Sequence, residues 1–343
     1  MKCILFCENP YAFGILIPIS KQLQERGHSY IWYISEKLVN EFSLKNELYT
    51  SLVSDLKTYR SDAIFVPGNE VPYFLRGVKA QVFHGLAGEK KGHFRIRHYF
   101  DLYLTPGPFF TKKFKELSLK YKNFEVQESG WSKLDVFATD IDLYENDKSI
   151  LLEKYQAKNI ILYAPTFSPS LTSAPILIKE IEILAADKNK LILLKFHDLM
   201  DTSLVKNYKK LANTVSNIVF ISDRNIIKYL LISDLMISDT SSVVYEFLLL
   251  NKPVVTLNAR SPQAAWQNIL EQGDLVESVN SNLKTDPLAN KRAHIITEYH
   301  PYKDGCSAKR MVKATEQYIL QNGVPEKRKL SFFRKYKINK KYR

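Results

Sequence analysis

Histidine changes charge near neutral pH, and two of the seven in this chain stand where an apolar run gives way to a polar loop. His84 follows Val82-Phe83 and opens the stretch Gly85-Leu-Ala-Gly-Glu-Lys-Lys-Gly92. A histidine at such a strand end can take a proton from an attacking hydroxyl. Gly85, Gly88 and Gly92 let backbone approach a ligand, and Lys90, Lys91, Arg95 and Arg97 offer positive charge to an anionic one. His197 ends the run Leu193-Leu-Lys-Phe-His197, with Lys195 two residues earlier and so on the same strand face, a pair suited to a diphosphate. Both histidines have a plainer reading as caps or polar groups beside a solvated loop, and the residues alone leave it open.

The third chemical group is Asp239-Thr-Ser-Ser242, lying between two apolar runs. Hydroxyls at Thr240, Ser241 and Ser242, beside the unpaired N–H groups of a helix start, form an anion site. At the carboxyl end of a parallel sheet, that is where phosphates bind. The alternative is that Thr240 or Ser241 simply caps the helix. Thr166, in Leu162-Tyr-Ala-Pro-Thr-Phe167, ends another buried run and adds one more hydroxyl.

Alternating strands and helices must position these groups. In the first half the pattern predicts strands Lys2–Glu8, Ser29–Ile34, Ala63–Val66, Ala80–Phe83 and Leu102–Leu104, with a helix over Ala12–Arg26. In the second half it predicts strands Asn159–Ala164, Leu191–Phe196, Ile218–Ile221, Leu235–Ser238 and Val254–Leu257. Helices are expected at about Ala174–Ala186, Leu204–Ala212, Asn225–Ile232, Ser241–Leu250 and Ser307–Gln321. Continuous apolar strands separated by helices imply α/β domains, each with a parallel sheet covered on both faces. The acidic, aperiodic stretch 140–147 marks a boundary. It gives an acceptor-side domain over 1–145, a donor nucleotide-binding domain over 146–322 and a tail over 323–343. Two Rossmann-like domains facing a cleft are the GT-B architecture of glycosyltransferases. Asp140-Ile-Asp142 has the spacing of a metal-binding pair, but it falls in the linker and is set aside; no cofactor is expected, and the sequence does not decide a metal requirement.

Composition bounds the rest. A chain of 343 residues, 45% hydrophobic and 25% charged, has material for two cores. The stretch Lys327–Arg343 holds nine basic and no acidic residues, so it contributes +9 to a formal net charge of +13. Leu330, Phe332, Phe333, Tyr336, Ile338 and Tyr342 are interleaved with those charges. That mixture suits an anionic membrane surface, at about 1 kcal/mol per nearby Lys or Arg. A solvated tail and a nucleic-acid arm are the alternatives, and no nucleic acid is expected as partner. Cys3, Cys7 and Cys306 give neither a disulfide framework nor a zinc site. No run of apolar residues is long enough to span a bilayer, and no signal peptide is expected, so the reading is a cytoplasmic protein docked on the inner membrane face.

The order of these motifs resembles the CDP-glycerol glycerophosphotransferase family, the teichoic-acid primases and polymerases. The resemblance is carried by His84-Gly85, Gly130-Trp-Ser-Lys-Leu-Asp135, Tyr163-Ala-Pro-Thr166 and His197-Asp198. It continues through Asp239-Thr-Ser-Ser242 with Glu246, Lys252-Pro253 and Asp304-Gly-Cys-Ser-Ala-Lys-Arg310. It implies transfer of a polyol phosphate from CDP-glycerol or a related CDP-polyol to a polysaccharide or lipid-linked glycan. His84 would be the base and His197 would assist the leaving group. Thr166, Lys195, Thr240, Ser241, Ser242 and Glu246 would hold the donor, with Glu246 accepting from ribose hydroxyls. Gly85, Lys90, Lys91, Arg95 and Arg97 would face the acceptor. Asp198 replaces the family's usual proline, and Leu86-Ala-Gly88 replaces its common Thr-Pro-Leu-Lys. The opening Gly14-Ile-Leu-Ile-Pro18…Leu23-Gln-Glu-Arg-Gly-His28 looks more like a nucleotide-sugar glycosyltransferase, which keeps a UDP- or GDP-sugar enzyme as the rival reading. The non-enzyme reading is a nucleotide-binding scaffold held at the membrane by its tail.

Overall fold

The computed structural model describes residues 1–44, 46–86, 92–139, 141–223, 225–260 and 265–342. The chain divides into two compact units, the first comprising Met1–Ala138 with Glu298–Arg343 and the second Thr139–Thr297.

Unit 1 is built on seven strands: β1 Lys2–Cys7, β2 Ser29–Ile34, β3 Tyr49–Thr50, β4 Ala63–Val66, β5 Val78–Gln81, β6 Leu102–Thr105 and β7 Glu125–Glu128. Their order in the sheet is β3-β2-β1-β4-β5-β6-β7, and every recorded pairing is parallel. Unit 2 carries β8 Asn159–Tyr163, β9 Lys190–Leu194, β10 Ile218–Phe220, β11 Leu235–Ser238, β12 Val254–Leu257 and β13 Gln267–Ile269. Its order, β10-β9-β8-β11-β12-β13, repeats the same doubly wound pattern with parallel pairs throughout. Both units are therefore α/β Rossmann-like folds. The strand order reverses between β1 and β4 in unit 1 and between β8 and β11 in unit 2, the places where such sheets take ligands.

Helices on both faces explain the unbroken apolar strands. In unit 2, Ile161, Tyr163, Ile192, Leu194, Ile237 and Val255 are fully buried against Leu177 and Ile181 of the helix Ala174–Leu184 and Tyr208 of the helix Thr202–Thr214. Asp201 caps the latter by accepting from Ser203 N and Leu204 N.

Four boundaries differ from those read in the sequence. β5 starts at Val78 and includes Lys79, whose ammonium is buried and donates to the carbonyls of Leu75 at 2.8 Å and Gly77 at 3.0 Å. Burial holds that group down to about 8. The acidic stretch read as linker folds as the helix Ile141–Tyr155. Residues 298–322, expected with the second domain, fold with unit 1, and the tail adds the helix Phe332–Tyr342 to the same unit. The short pieces β3, β7 and β13 were not expected. No helix among the described residues is long and apolar enough to cross a membrane.

Candidate active site

At the carboxyl edge of unit 1, Phe83 takes a left-handed backbone, φ +58°, which ends the strand path at Gln81 rather than at Phe83. An aromatic residue in that region stores strain of order 1 kcal/mol or more, offset here by packing against Tyr103 and Phe114. The turn carries His84 back to the loop after β4, where Nδ1 lies 2.9 Å from the Pro67 carbonyl. A carbonyl only accepts, so Nδ1 holds the proton and, in the neutral ring, Nε2 is the basic nitrogen. Tyr11 stacks on the ring at 5.2 Å. Gln81, buried beneath, donates through Nε2 to the carbonyls of Gly68 at 2.8 Å and Pro67 at 3.2 Å and so fixes the loop that orients His84.

The residues expected around His84 are partly present. Among the described residues, a Cβ at Gly85 would meet nothing within 4 Å. Arg97 donates through Nη1 to Asn69 Oδ1 at 3.3 Å, joining the same loop, and Arg95 is exposed. Lys90, Lys91 and Gly88 lie outside the described residues.

At the carboxyl edge of unit 2, register does the positioning. Ile237 pairs with Tyr163, and Tyr163 with Leu194, so the loops after β8, β9 and β11 leave the sheet side by side at the switch point. Asp239 is 1% exposed and binds the loops together. Its Oδ1 accepts from Thr166 N at 2.8 Å; its Oδ2 accepts from Ser173 N at 2.8 Å and Ser173 Oγ at 2.9 Å. Burial pushes this carboxyl above its ordinary value, while the three donors pull it back. Ser238 adds a bond from Oγ to the Ala164 carbonyl at 2.7 Å.

The hydroxyl cluster sits on this frame. The helix expected over Ser241–Leu250 is shorter, Val243–Leu248, and Ser242 at its cap position makes no side-chain cap bond. Thr240 Oγ1 instead accepts from Arg260 N at 3.0 Å. Capping therefore does not account for these hydroxyls. Glu246 is buried in the helix, and Lys195 is buried with Nζ donating to the Phe196 carbonyl at 3.1 Å.

Lys195 and His197 do not share a strand face, because β9 ends at Leu194. His197 is exposed beyond it, stacked on Phe167 at 4.4 Å. Its Nδ1 accepts from Leu199 N at 3.1 Å, so in the neutral ring Nε2 carries the proton and is a donor. Partial burial and, more weakly, Lys195 hold this imidazole below its ordinary value, against the pull of Asp198.

The motifs Gly130–Asp135 and Asp304–Arg310 form a junction inside unit 1. Asp135 accepts from Ser307 N at 2.9 Å and Ala308 N at 2.8 Å, pinning the start of the helix Ser307–Asn322. Gly130 has φ +83°, and a Cβ there would collide with Ser307 Oγ. Arg310 donates to the Ser129 carbonyl at 2.8 Å, pairs with Asp304 at 2.7 Å and lies over Tyr302. His300, 4% exposed, accepts from Trp131 N at 3.0 Å, and burial followed by Arg310 holds it down to about 4. Sequence reading did not assign this junction a role; it secures the returning chain. Asp140 of the Asp-x-Asp pair is outside the described residues. Among the described residues no cluster of His, Cys, Asp or Glu could hold a metal.

Comparison with known proteins adds a frame. The family model for CDP-glycerol:poly(glycerophosphate) glycerophosphotransferase matches residues 79–260, more than half of the chain. Teichoic acid glycerol-phosphate primase from Bacillus subtilis is 31% identical over 137 residues, 39% of this chain and 35% of that protein. The teichoic acid ribitol-phosphate polymerase TarL from Staphylococcus aureus is 28% identical over 258 residues, 66% of this chain and 43% of its own length. The chain thus spans less than half the length of these curated relatives.

Among solved structures, the wall teichoic acid polymerase TagF superposes with a TM-score of 0.65 at 15% identity, over 93% of this chain and 89% of that one. A UDP-GlcNAc 2-epimerase from Neisseria meningitidis gives 0.67 at 14% identity, over 92% and 100%. These matches concern the fold, which is of the GT-B type.

Proposed function

Since the chain belongs to the CDP-glycerol:poly(glycerophosphate) glycerophosphotransferase family, we propose that it transfers glycerol phosphate, or another polyol phosphate, from a CDP-polyol to a hydroxyl of a lipid-linked or polysaccharide acceptor of the teichoic-acid type. An acceptor oxygen forms a bond to the phosphorus that bears the polyol, the bond from that phosphorus to CMP breaks, and CMP leaves with the charge. The acceptor proton goes to His84 Nε2, a step with a typical effect of about 10²–10⁴-fold. The donor lies on the ledge that Asp239 organises, where Thr166, Ser241, Ser242 and the His197 Nε2–H supply hydrogen bonds to phosphate oxygens. Thr240, Lys195 and Glu246 support that ledge from beneath. Arg95 and Arg97, with Lys90 and Lys91, attract the anionic acceptor. The reaction takes place on the cytoplasmic face of the membrane, to which Lys327–Arg343 draws the protein.

One observation carries this reading: His84 stands at a carboxyl sheet edge with Nδ1 tied to a carbonyl, the arrangement that leaves Nε2 basic. The mass of a lipid-linked acceptor after reaction with CDP-glycerol tests it. A gain of glycerol phosphate is expected. A plain hexose gained from a UDP- or GDP-sugar, with none from CDP-glycerol, would replace this reading with that of a nucleotide-sugar glycosyltransferase.

A further inference from the structure

The switch point of unit 1, between β1 and β4, is where a doubly wound sheet ordinarily receives a ligand. Here the chain's own last helix, Phe332–Tyr342, is bonded to the residues that leave these two strands. Tyr342 donates to Glu8, just after β1, at 2.8 Å, and its ring meets Phe6 edge-on at 5.9 Å. Lys341 Nζ lies 3.0 Å from Glu8 Oε1 and 3.4 Å from Glu70 Oε2, and Lys337 also pairs with Glu70. Glu70 belongs to the loop after β4 whose Pro67 carbonyl holds His84. Ile338 between them is fully buried, and Arg334 donates to the Arg97 carbonyl. Arg328, just ahead of the helix, pairs with the buried Asp101. These cations of the tail are therefore paired with unit 1, Arg328 largely buried and Lys337 and Lys341 at its surface.

The other face is different. Phe332 is 77% exposed, Phe333 83% and Tyr336 63%. Phe332, Tyr336 and the exposed Lys340 follow one another at i, i+4 spacing along one stripe of the helix. Lys327, Lys329 and Lys335 are also exposed, and the helix contains no acidic residue. Three aromatic rings presented to water on a short basic helix match the chemistry of an anionic bilayer, where rings enter the headgroup boundary and ammonium groups meet phosphates.

We propose that Phe332–Tyr342 is a prefolded docking helix for anionic lipid: its outer face, Phe332, Phe333, Tyr336 and Lys340, enters the bilayer interface while its inner face stays latched to Glu8 and Glu70. Docking then turns the edge that carries His84 toward the membrane surface. That consequence for catalysis rests on the reading of a lipid-linked acceptor; the docking itself does not.

The test uses the full chain with vesicles of phosphatidylglycerol in phosphatidylcholine, beside phosphatidylcholine alone. Salt-sensitive binding to the anionic vesicles is expected. The double variant Phe332→Ser with Phe333→Ser should weaken it at least about tenfold, with CMP release to a water-soluble acceptor unchanged. Glu8→Gln with Glu70→Gln should retain vesicle binding but lose several-fold in turnover of a vesicle-borne acceptor. Equal binding by the phenylalanine variant, equal binding to uncharged vesicles, or a dimer abolished by that variant would each overturn the proposal. If no acceptor is turned over at all, the vesicle results still decide the docking claim, and the failure belongs to the enzymatic reading.

Discussion

In unit 1 the Nδ1 of His84 donates to a carbonyl, and in unit 2 the Nδ1 of His197 accepts an amide N–H. Both rings stand at the carboxyl edge of a doubly wound sheet, yet their Nε2 atoms have opposite roles. One backbone partner sets each tautomer, so that His84 offers a lone pair and His197 a proton. The edges around them diverge in the same sense. That of unit 1 holds the carboxylates Glu8 and Glu70, occupied by Lys337, Lys341 and Tyr342 of the tail. That of unit 2 buries the carboxylate of Asp239, where it orders the backbone N–H groups of Thr166 and Ser173. A shared topology fixes where chemistry occurs; the loop partners fix which chemistry.

The largest way to break this contrast is to remove the proposed base. His84→Ala should lower turnover by about 10²–10⁴-fold with little change in donor binding, read from kcat and from CDP-glycerol affinity. Next comes the donor side. In the proposed reaction His197 donates to the leaving phosphate, so His197→Ala should cost about 10²–10³-fold in kcat, with His197→Gln restoring part of it because an amide still donates. Equal losses and equal rescue at both histidines would contradict the division of roles.

Asp239→Asn tests the frame beneath. An amide presents N–H groups where Thr166 N or Ser173 N already donates, at about 1–3 kcal/mol. Thermal unfolding should show the lower stability, and KM for the donor should rise roughly tenfold to a hundredfold.

His300 sharpens the comparison from outside both edges. The unfolded chain protonates it at the ordinary 6.5, and the folded chain only at about 4. Its stability contribution is therefore complete above pH 6.5 and is lost as pH falls toward 4, about 3 kcal/mol in total. Unfolding of His300→Gln should be less stable at neutral pH and show a shallower slope across that window. The smallest effect is expected from Thr240→Val, which leaves the Arg260 N–H without its acceptor at about 1 kcal/mol and should register as a small fall in Tm.

Much of this molecule was legible because its strands are buried on both faces. Ser29–Ile34, Ala63–Val66, Leu235–Ser238 and Val254–Leu257 fall where their apolar runs stand in the sequence. β7, Glu125-Val-Gln-Glu128, is an exposed edge with too little apolar content to be seen. Lys79 hid the start of β5, since a lysine paired only with carbonyls looks in sequence like a loop residue. The helix Ile141–Tyr155 looks like linker in the sequence because its first turns alternate acid and apolar residues without a clear stripe. At the candidate site, residue type singles out His84, His197 and the hydroxyls. Gln81 and the linking role of Asp239 were not legible, because they act through backbone groups far away in the chain. The tail's charge was plain, whereas its division into a latched face and an exposed one depends on Glu8 and Glu70, hundreds of residues earlier.

The most direct measurement is CMP release from CDP-glycerol by the full chain, with and without a lipid-linked glycan acceptor, beside His84→Ala. Acceptor-dependent CMP from the native protein, reduced by about 10²-fold or more in the variant, is the predicted result. CMP release that persists in His84→Ala, or its absence while a UDP- or GDP-sugar is consumed, would contradict the account.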